Sequence, residues 1–178
     1  GAEKFLDIKC RLAGLKPDAV VIVATVRALK MHGGMSKENL NAENLDALEK
    51  GVPNLLRHVS NIKNVYHLPS VVAINKFPTD TQSEIDLIIN KCKELGVNVV
   101  LSDVWANGSE GGLSLAKEVV KLCDEPNNFE FSYELQDTIE NKISTIVKRI
   151  YGGKGAKFLP EALDDIKLRF WQFTYMYS

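Results

Sequence analysis

Cysteine is scarce in this sequence, and its placement excludes two common classes of small protein. Cys10, Cys92 and Cys123 are the three cysteines among 178 residues; they lie far apart and form no CxxC pair. A disulfide scaffold and a zinc ribbon are therefore not expected, and a reducing cytoplasm is the predicted compartment. The 3 histidines are scattered, without the spacing of metal ligands, so no metal site is predicted.

The sequence also lacks an excess of charge and a long apolar run. With 22 Lys and Arg against 23 Asp and Glu, the net charge is -1, which gives no electrostatic reason to expect a nucleic acid or an anionic membrane as partner. No apolar stretch approaches the roughly 20 residues that span a bilayer. The chain starts Gly-Ala-Glu-Lys, with neither Met nor a targeting signal, and we expect it to begin within a longer protein.

Three runs rich in Val and Ile, at residues 18–25, 70–75 and 98–103, predict the strands of the fold. They show no alternation of apolar and polar residues, which is typical of strands covered on both faces. Segments with helical spacing separate them, so the sequence predicts an α/β fold: a three-layer parallel sheet with flanking helices. Three strands make a narrow sheet, and we expect further strands from residues outside this chain.

The helical segments have recognisable starts and ends. Gly51-Val52-Pro53 interrupts the segment from Leu45 to Ile62, which predicts two helices with the proline at the start of the second. Thr81 and Glu84 form a capping-box pattern at the start of the next helix, and Gly96 suits its left-handed end. A further helix is predicted over 111–123, with its inward residues at Ala116, Val119, Val120 and Cys123.

No strand pattern follows residue 125. Leu135 to Ile150 predicts a long amphipathic helix that ends at Gly152, and a last helix is expected to begin at Pro160. The predicted organisation is a parallel α/β domain over 1–125, a helical extension over 126–165 and an aromatic-rich end over 166–178.

The loops that follow the three strands contain the candidate functional residues. Ligands of open parallel sheets bind outside the carboxyl ends of the strands, so these loops should converge on one crevice. Arg27, Lys30 and His32 follow the first strand, and they bind phosphate or carboxylate or else are solvated loop residues. Phe77 and Trp105, in the second and third loops, offer flat surfaces to a planar heterocycle or else anchor their loops in the core.

Two nucleotide-binding motifs are absent. Asn75-Lys76 follows a buried strand as in the base-reading NKxD element of GTPases, but Asp80 lies two positions too late. The sequence contains no GxxxxGK[ST] phosphate loop, and the run from Gly152 to Gly155 lacks its spacing.

The run from Val23 to Gly34, Val-Ala-Thr-Val-Arg-Ala-Leu-Lys-Met-His-Gly-Gly, resembles the signature of formate–tetrahydrofolate ligases. Other segments resemble the same family in the same order, and the resemblance extends over residues 1–165. These segments are residues 1–11, 75–81, 104–106, 110–112 and 126–129.

The resemblance implies an ATP-dependent ligase with a P-loop NTPase-like architecture. In the family, ATP phosphorylates formate, and N10 of tetrahydrofolate attacks the formyl phosphate to give 10-formyltetrahydrofolate for one-carbon metabolism. ATP with Mg²⁺ and a monovalent cation are the implied cofactors, and a homotetramer is the implied assembly. Phe77 and Trp105 would sandwich the pterin ring. The other implied site residues are the catalytic group Arg27, Lys30 and His32, near the anionic reactants, and the nucleotide- or folate-binding group Asn75, Thr79 and Asp80.

The sequence departs from the family pattern in two places. The family's phosphate loop lies upstream of the segment that resembles residues 1–11, and no such loop is present here. Residues 166–178 have no recognised counterpart; they pack on the sheet, mediate association or fall outside the natural reading frame. We therefore expect an internal fragment with little or no ligase activity of its own. The alternatives are a folate- or nucleotide-binding module without catalysis and an interaction fragment that associates through its aromatic end.

Overall fold

Parallel pairing of the three Val- and Ile-rich runs forms the sheet. The computed structural model describes residues 1–176, with side chains as far as Leu168. Its strands are β1 (Val20–Ala24), β2 (Ser70–Asn75) and β3 (Asn98–Ser102), and they pair in parallel in the order β1-β2-β3. The predicted strands and the α/β fold with flanking helices are confirmed.

Helices occupy the connections and the C-terminal part of the described chain. The α-helices are α1 (Arg11–Ala13), α2 (Val26–His32), α3 (Leu45–Ser60), α4 (Gln82–Glu94), α5 (Val104–Asn107), α6 (Leu113–Cys123), α7 (Ile139–Thr145) and α8 (Pro160–Met176). Turns of π-helix lie at Lys4–Cys10, Asn61–Val65 and Ile146–Ile150, and 3-10 turns at Lys37–Asn39 and Gly108–Gly112. None of the helices in residues 1–176 is long and apolar enough to cross a membrane.

The central strand β2 is covered on both faces, but the outer strands are not. Val72 and Ile74 lie in the main apolar cluster, and Val71 and Ala73, which alternate to the other face, are also buried. On β1 the side chain of Val23 is 66% exposed. The prediction that every strand is covered on both faces is therefore wrong for β1, because β1 lies at the edge of the sheet, where fewer elements pack on it.

A single helix, α3, replaces the two helices predicted around Pro53. The reason is its packing on α2. A Cβ atom at Gly51 would lie 1.8 Å from the carbonyl oxygen of Leu29, and one at Gly33 would lie 1.8 Å from that of Ala47, so the two backbones touch at these glycines. An unbroken buried stripe continues through the proline, and its packing outweighs the roughly 3 kcal/mol that an internal proline costs. The stripe consists of Leu48, Val52, Leu55 and Val59.

Local signals placed the ends of α4 correctly. Thr81 Oγ1 accepts a hydrogen bond from the Glu84 amide at 3.3 Å, and Glu84 Oε2 accepts one from the Thr81 amide at 3.1 Å, so the predicted capping box forms. Gly96, just past the end of the helix, has a left-handed φ of 64°, as its position predicts.

The buried face of α6 differs from the prediction. Leu122 is its buried residue, whereas Ala116, Val120 and Cys123 are exposed and Val119 is half-buried. This helix contacts β2 and β3. The face that it buries there is not the face that the spacing of its apolar residues predicts.

The described chain forms two compact units, one over Gly1–Phe131 and one that begins at Ser132. In the second unit, α7 begins at Ile139 because Thr138 Oγ1 caps it, accepting from the Asn141 amide at 3.2 Å. Leu135 therefore lies before the helix and not in it. The predicted start of the last helix at Pro160 is confirmed. The predicted domain boundary at residue 125 stays a prediction.

The aromatic-rich end falls largely outside what the structure describes. Its side chains at Phe170, Trp171, Phe173 and Tyr175 lie beyond the described side chains, and Tyr177 lies beyond the described backbone. The predictions about packing or association through residues 166–178 therefore stay predictions.

Candidate functional site

The three candidate loops open at one edge of the sheet. Ala24, Ile74 and Leu101 are paired across the strands near their carboxyl ends, and Asn75 is paired with Ser102 one step further. Asn75 is half-buried, and the predicted convergence of the loops at this edge is present in the strand register.

The first loop is short, because α2 starts directly after β1. Thr25 caps the helix by accepting a hydrogen bond from the Ala28 amide at 3.1 Å, which places Arg27 in the first turn. The Arg27 Cζ atom lies 5.5 Å from the centroid of the Phe77 ring, a cation–π geometry. The first and second loops therefore meet through these two side chains.

The second loop holds Phe77 in a tight turn. The Asp80 amide donates to the Phe77 carbonyl at 3.0 Å, with Pro78 and Thr79 at the two central positions, where proline is favoured first. Asp80 Oδ2 accepts in return from the Phe77 amide at 2.9 Å. Thr79 is exposed at the tip of the turn. The backbone that carries the Phe77 ring is thus fixed by Asp80.

Asp80 is buried, and some neighbouring groups raise the pKa of its carboxyl while others lower it. Burial raises the pKa of its carboxyl above the ordinary value, and the nearby charge of Glu84 raises it too. The Phe77 amide and the cations Lys30 and Arg27 oppose this shift without cancelling it. Its Oδ1 atom has no hydrogen-bond partner within the part of the chain that the structure describes.

Lys30 lies inside the protein, paired with Glu84. The distance from Lys30 Nζ to Glu84 Oε1 is 2.8 Å, and both side chains are 0% exposed. Lys30 Nζ also donates to the Ala42 carbonyl at 2.8 Å. Burial alone would raise the pKa of Glu84, but hydrogen bonds from Lys30 and from the amides of Thr81 and Asn44 hold it below its ordinary value. In this geometry the ammonium group of Lys30 is enclosed by protein atoms.

His32 lies at the opposite end of α2 from Arg27. A helix rises about 1.5 Å per residue, so the two residues are separated by roughly 7.5 Å along the axis. The exposed His32 ring has its Nδ1 atom 3.0 Å from Nδ2 of Asn54 on α3. The structure therefore brings Arg27 to Phe77 but does not bring His32 there.

Trp105 lies on α5, which directly follows β3. Its side chain is 79% exposed, so it does not anchor its loop in the core. The loop instead closes through its backbone, since the Asp103 amide donates to the Gly111 carbonyl at 3.1 Å. Between the described residues no ring contact joins Trp105 to Phe77. The faces of the indole are thus available to a ligand.

Glu84 is the site residue that sequence reasoning missed. The capping-box pattern accounted for Glu84 only as part of a helix cap. In the structure its Oε1 atom also binds Lys30 and the Asn44 amide, which are distant from it in the sequence. The available signal was Lys30 itself. It follows Val26 by four residues on the apolar face of α2, and a buried lysine requires an acidic partner.

The described residues include no group of three or more His, Cys, Asp or Glu side chains placed to hold a metal ion. The chemistry that this sheet edge can supply comes from its cations, its backbone amides and its aromatic rings.

Comparison with known protein families identifies one whose pattern this chain follows. The family model of formate–tetrahydrofolate ligase matches residues 1–173. The match includes every loop of the sheet edge and continues past Asp165, where the recognised resemblance ends. The family resemblance of the sequence is confirmed.

Proposed function

The chain belongs to the formate–tetrahydrofolate ligase family, and from this premise we propose that its sheet edge binds the pterin ring of tetrahydrofolate. Members of this family are ligases that join formate to tetrahydrofolate with ATP, in one-carbon metabolism. The observation that carries the proposal is the pair of aromatic side chains in neighbouring loops: Phe77 held by Asp80 and backed by Arg27, and Trp105 exposed on α5.

Stacking gives the physical basis for pterin binding. A pterin is a flat heterocycle, and aromatic pairs contribute about 0.5–1.5 kcal/mol beyond the apolar area that they bury. An exposed tryptophan gains most from such a partner, because its large apolar faces are wet without one. We propose that the pterin lies between Phe77 and Trp105.

Arg27 is the residue that we propose for the anionic reactants. In the proposed reaction the N10 nitrogen of tetrahydrofolate forms a bond to the carbonyl carbon of formyl phosphate, the C–O bond to phosphate breaks, and the N10 proton ends on the released phosphate. The leaving phosphate carries negative charge, and a guanidinium group offers paired N–H donors to its oxygens. Asn75 ends β2, and Thr79 and Asp80 lie in the loop with Phe77; we propose that these three residues hold the folate or the nucleotide. We assign no step to Lys30, which is buried, or to His32, which lies at the other end of α2.

The proposed activity of this chain by itself is folate binding without ligation. The sequence contains no GxxxxGK[ST] loop to hold the phosphates of ATP. The parallel sheet with flanking helices is consistent with a P-loop NTPase-like architecture, which we propose for the ligase domain. A tetrameric assembly and a monovalent cation remain predictions from the family resemblance, and a cytoplasmic location remains a prediction from the cysteine usage.

A fluorescence titration tests the proposal. Tetrahydrofolate added to the chain with Trp171→Phe, in which Trp105 is the remaining tryptophan, should quench the emission saturably. The chain with Trp105→Phe alone, in which Trp171 is the remaining tryptophan, gives the control for absorption by the ligand. Equal quenching in the two proteins would contradict pterin stacking on Trp105. A parallel incubation with ATP, Mg²⁺, formate and tetrahydrofolate should yield no 10-formyltetrahydrofolate, and its formation would refute the proposed lack of ligation.

A further inference from the structure

A single buried carboxylate, that of Glu84, connects three separate segments of the first unit. Its Oε1 atom lies 2.8 Å from Lys30 Nζ on α2 and accepts a hydrogen bond from the Asn44 amide at 3.1 Å. Its Oε2 atom accepts from the Thr81 amide at 3.1 Å. One side chain on α4 thus holds α2, the start of α3 and the end of the Phe77 loop.

Two of the three connected segments carry residues of the proposed folate site. The helix α2 carries Arg27, whose guanidinium lies over the Phe77 ring at 5.5 Å. The segment bound through the Thr81 amide directly follows Asp80, which holds the Phe77 backbone. A displacement of either segment would move the cation relative to the ring. Among the described residues, Lys30–Glu84 is the ion pair that joins α2 to α4, the helix that follows this loop.

We propose that Glu84 is a positioning residue for tetrahydrofolate binding, because it holds the loop that carries Phe77 against the helix that carries Arg27. The inference deepens the proposed function and depends on it, because the positioned surface matters only if that loop binds folate. Glu84 itself is fully buried, so we place it behind the ligand-binding surface and not on it.

The chemistry of the three contacts makes a conservative substitution informative. Each group facing the carboxylate is a donor: an ammonium and two backbone amides. Glutamine has nearly the same shape as glutamate, but its amide nitrogen would point a donor at one of these donors. The Glu84→Gln variant therefore breaks the connection without opening a cavity.

The experiment compares Glu84→Gln with Glu94→Gln, a matched change on the same helix. Glu94 is exposed and pairs loosely with Lys91 at 3.8 Å. Calorimetric titration of tetrahydrofolate should show binding at least about tenfold weaker in Glu84→Gln, with the wild-type affinity retained in Glu94→Gln. Hydrogen exchange should be at least about tenfold faster at the Asn44 and Thr81 amides of the Glu84 variant.

A second variant separates positioning from general stability. Lys30→Met with Glu84→Leu replaces the buried ion pair by apolar side chains of similar size, a change that commonly preserves the fold. This double variant should melt cooperatively, as a folded domain does. Its affinity for tetrahydrofolate should nevertheless be at least about tenfold lower than that of the wild type. It keeps the proposal testable if Glu84→Gln fails to fold.

The outcomes distinguish the two proposals. Wild-type protein that binds no tetrahydrofolate overturns the proposed function together with this inference. If the wild type binds and a folded Glu84 variant binds equally well, the positioning role of Glu84 is wrong while folate binding stands.

Discussion

Replacement of Gly51 by alanine provides a stringent test of the packing between α2 and α3. An added Cβ atom would lie 1.8 Å from the Leu29 carbonyl oxygen and 3.0 Å from the Gly33 amide nitrogen, both backbone atoms. Real Cβ contacts are essentially never shorter than 3.0 Å. The two helices must therefore separate by about 1.2 Å or distort, because no flexible side chain can give way.

The magnitude follows from two opposing effects. Alanine is about 1 kcal/mol better than glycine inside a helix. Against this, a gap of about 0.5–1 Å removes a quarter to a half of each dispersion contact, and the contacts across this interface involve Leu29, Leu48 and Val52, all buried. Overpacking a core typically lowers stability by about 1–3 kcal/mol. A clash with backbone atoms, which cannot rotate away, lies at or above the upper end of this range. The expected net loss is about 2 kcal/mol, or a melting temperature lower by about 4–8 °C.

Circular dichroism melting of wild type and Gly51→Ala gives the assay. Gly155→Ala is the control, since a Cβ atom there meets nothing within 4 Å, and its stability should change by less than about 0.5 kcal/mol. A Gly51→Ala protein as stable as the wild type, or more stable, would refute the packing argument and with it our reason for the continuous α3.

Three further predictions concern the buried charges and the cysteines. Lys30→Met should lower the free energy of unfolding by about 3–5 kcal/mol in urea titrations, because it leaves the Glu84 charge unpaired; a loss below about 1 kcal/mol would argue against the buried pair. Because the pKa of Glu84 is below its ordinary value of 4.5, its contribution to stability is present above that pH and is lost as the pH falls through the lower folded value. The melting temperature of the wild type should thus fall further between pH 7 and pH 3 than the melting temperature of Lys30→Met/Glu84→Leu. Equal changes in the two proteins would contradict the assignment. In a thiol titration at pH 8 the exposed Cys123 should react fast, whereas Cys10 and Cys92, both buried, should react only on unfolding; burial raises the pKa of Cys92 to about 11, and fast reaction of all three would contradict this burial.

Features determined by neighbours along the chain were predictable from the sequence. The strands follow from their unbroken apolar runs, and the α4 capping box and the turn at Gly96 depend on residues within a few positions of one another. The convergence of the site loops was predictable too, because parallel strands present all their carboxyl ends at one edge.

Features that depend on distant contacts were not predictable in this way. Pro53 and Gly51 look like a break in the helix, and only the approach of the Leu29 backbone explains why α3 continues through them. The burial of Lys30 was not predictable either, because its partner Glu84 belongs to a segment far along the chain. For Trp105 the residue type left stacking and anchoring open, and only its exposure shows that it does not anchor its loop in the core.

Calorimetric titration of two ligands tests most directly whether the pterin ring is what this site recognises. Tetrahydrofolate contains the pterin, whereas p-aminobenzoylglutamate is the same molecule without it. Trp105→Ala should weaken tetrahydrofolate binding by about tenfold, equivalent to about 1.4 kcal/mol of lost stacking and burial. It should leave p-aminobenzoylglutamate binding unchanged, and Val120→Ala, at an exposed apolar position on α6, should change neither. Tetrahydrofolate binding of equal strength in the wild type and in Trp105→Ala would contradict the account.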